Sequence, residues 1–333
     1  MRLGLAVPHY DTSLAGKNAS WDGIARIARV AEASGFDSLW VSDHLFIDWS
    51  KYGGPSDVQG SFECWSTLAA LSAVTSRVRL GSLAICNDLR NPGLFAKMVA
   101  SLDLLSGGRI EVGMGAGWYE PEFRAAGISF DSARTRIMRL GESVEILDGL
   151  LSGEEVTYKG DHYTIDGAVC LPAPMQRPRP PLWVCGKGDL LIETAVRTGD
   201  GWNYSWLGDV ELYGTRSRMA DELCDKHGRD PSSLRRSVGA YVLAGRGESD
   251  LRKRFERLAE RTPRGVLSGV SFEKFRARGF VGSIDEVIDG LSALGAARVE
   301  EVVVTLGALP FQVGDEDDVE LLGTEIAPAL GRA

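Results

Sequence analysis

Four short stretches carry residues able to do chemistry: Asp43-His44, Cys86-Asn87, Gly115-Ala116-Gly117-Trp118 and Gly186-Lys187-Gly188-Asp189. A histidine beside an aspartate can donate or accept a proton near neutral pH, although a histidine at a strand end can equally be held by Asp43 or by backbone. Gly115-Ala116-Gly117 allows backbone to approach a planar ring without side-chain interference. Gly186–Asp189 presents free N–H groups to an anion where a strand meets a helix. There Asp189, as the expected N-cap, competes with the anion and Lys187 supplies compensating charge. The Gly282-Ser283 turn is a second candidate of that kind. His9, Trp49 and Trp118, at a strand end or on predicted loops, are candidate walls of a substrate pocket. Trp65, inside a predicted helix, reads as core.

Other chemistries lack their residues. The four histidines have no ligand spacing, so no metal site is expected. Five scattered cysteines without a Cys-x-x-Cys read as reduced thiols of a cytoplasmic protein. No Ser-His-Asp arrangement and no pair of rim carboxylates is evident. Gly113-x-Gly115-x-Gly117 lacks the spacing of a dinucleotide fingerprint, and Trp118-Tyr119-Glu120-Pro121 follows where a helix should open. A rim poor in reactive side chains but rich in backbone and aromatics points to a bound cofactor.

The chain has 37 Lys+Arg against 46 Asp+Glu, a net charge of −9, which argues against nucleic acid or an anionic membrane as partner. No uncharged apolar run approaches the ~18 residues of a membrane span. The opening MRLGLAVPHYD reads as a buried strand rather than a signal peptide.

Eight apolar runs of β-type composition alternate with helical periodicity: Leu3–Val7, Phe36–Val41, Val78–Leu83, Ile110–Met114, Leu182–Cys185, Asp200–Asn203, Ser237–Ala244 and Val299–Thr305. Helices are expected over 21–34, 62–76, 92–105, 131–151, 190–198, 209–227, 249–261 and 283–294, the fourth strand being followed by an excursion at 153–181. That excursion reads as a β-hairpin (Val156–Tyr158, His162–Ile165) and a connector of five prolines. The pattern predicts one α/β domain over 1–333, a (β/α)8 TIM barrel with an insertion between strands 4 and 5. Its site would lie at the C-terminal strand ends, where the four stretches fall.

SLWVSDHLF (38–46), RLGSLAICNDLRNPGLFAKMVASLDLLSGGRIEVGMGAGWYEPEF (79–123), PPLWVCGKGD (180–189) and GDGWN (199–203) resemble the luciferase-like flavin/deazaflavin superfamily. Cys86-Asn87 and the Gly-Ala-Gly-Trp-Tyr-Glu run are most similar to its coenzyme F420-dependent branch, and the resemblance runs in order from Leu3 to Thr305. It implies a non-proline cis peptide at Ser82-Leu83, whose bulge, continued by Ala84, supports the central ring of a deazaflavin. It also implies cofactor contacts from Asp43, Asn87, Gly115, Ala116, Gly117 and Cys185, with the phosphate at Gly186, Lys187 and Gly188. The activity implied is hydride transfer between F420 and a small organic substrate, with His44 moving a proton, in a homodimer formed through barrel helices. The alternatives are an FMNH2-dependent monooxygenase, which would need a flavin reductase partner, and a flavin or F420 carrier without turnover. Retention of Asp43, His44, Asn87 and the Gly115–Gly117 turn argues against the carrier.

Overall fold

The computed structural model describes residues 1–331. Eight parallel strands form the barrel: β1 (Arg2–Ala6), β2 (Ser38–Val41), β3 (Arg79–Ser82), β4 (Ile110–Gly115), β5 (Leu182–Cys185), β6 (Gly201–Trp206), β7 (Arg235–Gly245) and β8 (Glu301–Thr305). Each pairs with the next. β1 closes on β8 from Arg2↔Glu301 to Leu5↔Val304, and β4 joins β5 through Val112↔Leu182. Every residue of β2, β5 and β8 is buried, as expected where helices cover one face of a strand and the barrel interior the other. Eight helices surround the barrel: α1 (Trp21–Ser34), α2 (Cys64–Val74), α3 (Pro92–Ser106), α4 (Ala133–Leu151), α5 (Asp189–Thr198), α6 (Val210–Lys226), α7 (Glu248–Arg261) and α8 (Ile284–Ala293).

Strand alternation decides which side chains fill the barrel interior. Leu39, Val41, Leu182 and Val184 pack outward in the main core, while Trp40 and Trp183 belong to the interior cluster and meet edge-on at 6.4 Å. Close glycines make room for these rings: a Cβ at Gly81 would lie 2.4 Å from Trp40, and one at Gly201 2.3 Å from Trp183. Their indole N–H groups donate to buried carboxylates at the N-terminal end, Trp40 to Glu301 (3.1 Å) and Trp183 to Glu111 (2.7 Å). Arg2 binds Glu111 at 2.9 Å and also pairs with Glu301. With this floor filled, the free space lies at the C-terminal mouth.

The structure modifies the sequence reading at several element ends. α2 begins at Cys64 because the Glu63 carboxylate caps it, accepting from Trp65 N (3.1 Å) and Ser66 N (2.6 Å). Phe280–Ser283, expected only to lead into a helix, is a strand on the extended end of β7 (Val242↔Phe280). Residues 264–279, expected to be irregular, contain a short helix at Phe272–Arg276. The insertion is the expected hairpin, Val156–Lys159 with Thr164–Ala168, its second strand starting two residues late. It is anchored on α4, where Glu142 accepts from the backbone of Asp161 (2.8 Å), His162 (3.0 Å) and Tyr163 (3.0 Å). Among the described residues no helix is long and apolar enough to cross a membrane.

Candidate active site

A cavity of about 620 Å³ opens at the C-terminal mouth, within the range of small-molecule sites. Asp43 and His44 enter it from the end of β2 with different duties. The Asp43 carboxylate is gripped by Arg90 through two bonds, one of 2.9 Å, and accepts from Cys86 N at 2.9 Å. Burial pushes its carboxyl up despite Arg90. Asp43 therefore ties the β3–α3 connection to β2 and has little acceptor capacity left for a ligand. His44 is free of Asp43. Its Nδ1 lies 2.9 Å from Glu122 Oε1, while Glu122 Oε2 accepts from Leu45 N at 2.9 Å. A carboxylate receiving both N–H groups places the proton of neutral His44 on Nδ1 and leaves Nε2 as the basic nitrogen.

The wall after β3 is backbone. The non-proline cis bond is Leu83-Ala84, one residue beyond the expected Ser82-Leu83. Ser82 is still in the ladder opposite Val41, and Leu83 N donates to Val41 O at 2.8 Å. Ser82 Oγ also bonds Gly113 N (3.0 Å) and Gly113 O (2.9 Å), so Ser82 is buried behind the cavity while Leu83 and Ala84 line it.

Gly115, Ala116 and Gly117 continue this wall: Gly115 pairs with Cys86, and a Cβ on it would lie 3.4 Å from that of Ala84. Gly117 has φ +73°, and a Cβ there would lie 2.6 Å from Phe123 and 2.7 Å from Cys86 Sγ, so glycine is required twice over. Buried Arg136 supports this turn from behind, with Nε 3.1 Å from Ala116 O and Nη2 3.3 Å from Gly117 O. Trp118 is 43% exposed, edge-on to His44 and under the Lys51 ammonium at 3.7 Å.

After β5, Cys185, Gly186 and Lys187 line the cavity, whereas Gly188 does not. Gly188, not Asp189, is the N-cap of α5, and it offers no side-chain acceptor. Asp189 falls inside the first turn and pairs with Arg216. The start of α5 thus keeps free N–H groups, which suits an anion. Lys187 turns to Trp206 O instead of offsetting Asp189. The Gly282-Ser283 turn lies outside the cavity, and its N–H groups are engaged by a Ser283–Glu286 capping box.

His9 does not reach the cavity. It is fully buried, with Nδ1 2.7 Å from Val7 O and Nε2 3.0 Å from Ser42 Oγ. Burial depresses its pKa to about 4. A neutral ring donating from Nδ1 must accept at Nε2, so Ser42 donates to His9 and Tyr10 donates to Ser42. Tyr10 and Ser42 line the cavity in its place. Trp49 lines it too, its indole N–H donating to Thr12 Oγ1 at 3.1 Å. Asn87 sits behind, bonded to Asp88 (3.0 Å) and Tyr163 (3.3 Å). Trp65 packs on Phe95 in the core. Burial pushes the Cys86 and Cys185 thiols up, away from nucleophilic reactivity. Among the described residues no cluster of His, Cys, Asp or Glu could hold a metal.

Sequence reasoning missed Glu122, Arg90 and Arg136. Only Glu122 carried a signal, being an acid five residues beyond the Gly115–Gly117 turn.

A parallel barrel whose mouth is walled by backbone, glycine and aromatic rings, with one carboxylate-paired histidine, defines a cofactor-cradling α/β barrel. The luciferase-like monooxygenase family matches residues 1–319, and the chain belongs to it. It is 33% identical over 217 residues to an F420-dependent glucose-6-phosphate dehydrogenase of Kineococcus radiotolerans, over 65% of this chain. The match spans 62% of that relative, less than two thirds of its length. It is 29% identical to an F420-dependent hydroxymycolic acid dehydrogenase of Mycobacterium tuberculosis over 93% of this chain and 84% of the relative. Identity to an FMNH2-dependent dimethylsulfone monooxygenase of Pseudomonas putida is 29% over 71% of this chain and 62% of the relative. An F420-dependent secondary alcohol dehydrogenase shares the fold at TM-score 0.76 and 21% identity, covering 99% of this chain and 98% of that one.

Proposed function

We propose that this protein is an F420-dependent oxidoreductase acting on a small organic substrate. The observation that carries the reading is the His44–Glu122 pair at a cavity with a continuous backbone wall, made by Leu83-Ala84 and the adjoining Gly115–Gly117. The residues present fit a planar cofactor: Leu83, Ala84, Gly115, Ala116 and Gly117 give the cavity a wall of backbone and small groups, and the uncapped start of α5 suits a phosphate. When bound, the deazaflavin supplies two-electron hydride chemistry at C5. Leu83, Ala84, Gly115, Ala116 and Gly117 would hold its ring, and Gly186 with the start of α5 its anionic tail. His44 Nε2 would accept the proton of a substrate hydroxyl as the hydride leaves, or return it in the reverse direction, with Glu122 stabilising the imidazolium. Trp49, Trp118 and Tyr10 would enclose the substrate and exclude water.

FMN is the second reading, favoured by the similarity to the FMNH2-dependent monooxygenase; it would require a flavin reductase partner. The experiment is a tryptophan-quenching titration of the full chain with F420 and, separately, with FMN. Saturable F420 binding with weak FMN binding supports the proposal. Preference for FMN favours the second reading, and absence of both overturns each. The reading includes a cytoplasmic homodimer paired through α3 and the end of the insertion, where Leu94, Leu105, Val169, Leu171 and Met175 are exposed.

A further inference from the structure

Two lysines line the cavity from different loops. Lys51 comes from the long loop between β2 and α2, and its ammonium lies over the face of Trp118, 3.7 Å from Nζ. Lys187 comes from the end of β5. Its Nζ meets Trp206 O and lies 4.9 Å over the ring of Tyr204. Among the described residues neither has a carboxylate in ion-pair contact, although acids exceed bases 46 to 37 in the chain. The two carboxylates of the cavity are already engaged, Asp43 by Arg90 and Cys86 N, Glu122 by His44 and Leu45 N.

Desolvation lowers the pKa of both lysines, and the field of Lys51 lowers that of Lys187 further. Two like charges, partly withdrawn from water and facing one cavity, are each unfavourable without a counter-charge. An aromatic face and a single carbonyl offset only part of that cost. A ligand anion between them would supply the rest.

We infer that the substrate carries an anionic group, a carboxylate or a phosphate, bound at the cavity mouth by Lys51 and Lys187. This rests on the oxidoreductase reading and narrows its substrate class. The same chemistry could come from the acidic tail of the cofactor. The placement of Lys51 favours the substrate, because its ammonium lies over Trp118, whose ring meets His44 edge-on.

The test is a titration of the full chain with inorganic phosphate, followed by tryptophan emission, with and without saturating F420. Lys51 lies directly on Trp118, so an anion drawing the ammonium off the ring should change that emission. Saturable phosphate binding in both forms is expected. It should weaken about ten-fold or more in K51M and in K187M, and be largely kept in K51R, as loss of one charged hydrogen bond requires. F420 affinity should stay within about two-fold in K51M, since that lysine does not meet the cofactor on this reading. Loss of phosphate binding on F420 loading, or parallel weakening of F420 in K51M, would assign the anion to the cofactor and overturn the inference. So would phosphate binding that is absent or indifferent to both substitutions. If F420 fails to bind, the oxidoreductase reading falls, while lysine-dependent phosphate binding by the unloaded chain still supports the anion site.

Discussion

His44 Nδ1 lies 2.9 Å from Glu122 Oε1, joining residues 78 positions apart, and the histidine comes from β2 while the glutamate sits in the short helix Glu120–Ala125 after β4. The pair turns an ordinary strand-end histidine into an oriented base. It also explains why Asp43, the sequence neighbour, is unavailable: its carboxylate belongs to Arg90.

Substituting Glu122 by Gln tests this directly. An amide can donate to Nδ1 as well as accept from it, so the tautomer is no longer fixed and Nε2 can carry the proton. Nitrogen-15 NMR of the imidazole should show Nδ1–H in the wild type and a shifted tautomer balance in E122Q. Turnover with any substrate found should fall about 100-fold or more, with F420 affinity nearly unchanged. An unaltered imidazole spectrum would remove Glu122 from the mechanism.

The buried relay behind the cavity predicts a stability that depends on pH. The pKa of His9 is depressed to about 4 in the folded chain, against an unfolded value of about 6.5. The unfolded chain therefore binds the extra proton first. The contribution of neutral His9 is complete above about pH 6.5 and is lost as pH falls toward 4, on the order of 3 kcal/mol in all. Asp318 acts oppositely over part of that window, since burial pushes its carboxyl up to about 6. The measurement is thus a difference: urea midpoints of wild type and H9Q between pH 7 and 4. The wild type should lose stability more steeply than H9Q; parallel curves would place the titration elsewhere.

The barrel was legible because most strand residues are buried on both faces and strands such as β2, β5 and β8 read as apolar runs, and because the rim stretches stand where the strands end. What escaped the sequence depends on one-residue register or on distant partners. The cis bond falls at Leu83-Ala84 because Ser82 is held in the ladder by Val41 and Gly113. Asp189 looked like a cap because aspartate favours that position, but Gly188 holds the cap and Asp189 is the first helical residue. His9 and Tyr10 are adjacent at a strand end, and alternation turns only Tyr10 into the cavity. Asn87 is drawn away by Tyr163, a residue of the insertion.

The proposed dimer makes Leu105 its most informative position. It is 76% exposed on α3. It shares that flank with the end of the insertion, which Cys170 Sγ ties to Ala96 O at 3.6 Å. A glutamate here would place a charge in an apolar interface, at a cost of several kcal/mol. Light scattering should give a dimer for the wild type and a monomer for L105E, with the far-UV spectrum unchanged. A wild-type monomer would remove this part of the reading.

Arg136 is the remaining test of how the Gly115–Gly117 wall is built. It lies in the first turn of α4, where the helix dipole disfavours a cation, and it has no carboxylate partner among the described residues. Its guanidinium instead bonds the carbonyls of Ala116, Gly117 and Asp131 and covers the Phe130 ring at 3.9 Å. The planar fork reaches several carbonyls at once, which a lysine ammonium on a single stem does not reproduce. R136M leaves those carbonyls without donors and should cost about 1–3 kcal/mol in urea unfolding. The Gly115–Gly117 turn would then sample other conformations, and F420 affinity should drop about ten-fold, with R136K between wild type and R136M. Loss of stability with F420 affinity intact would make Arg136 a support of α4 alone. Loss of both in the same order across the two variants would tie the guanidinium to the wall on which the ring is proposed to rest.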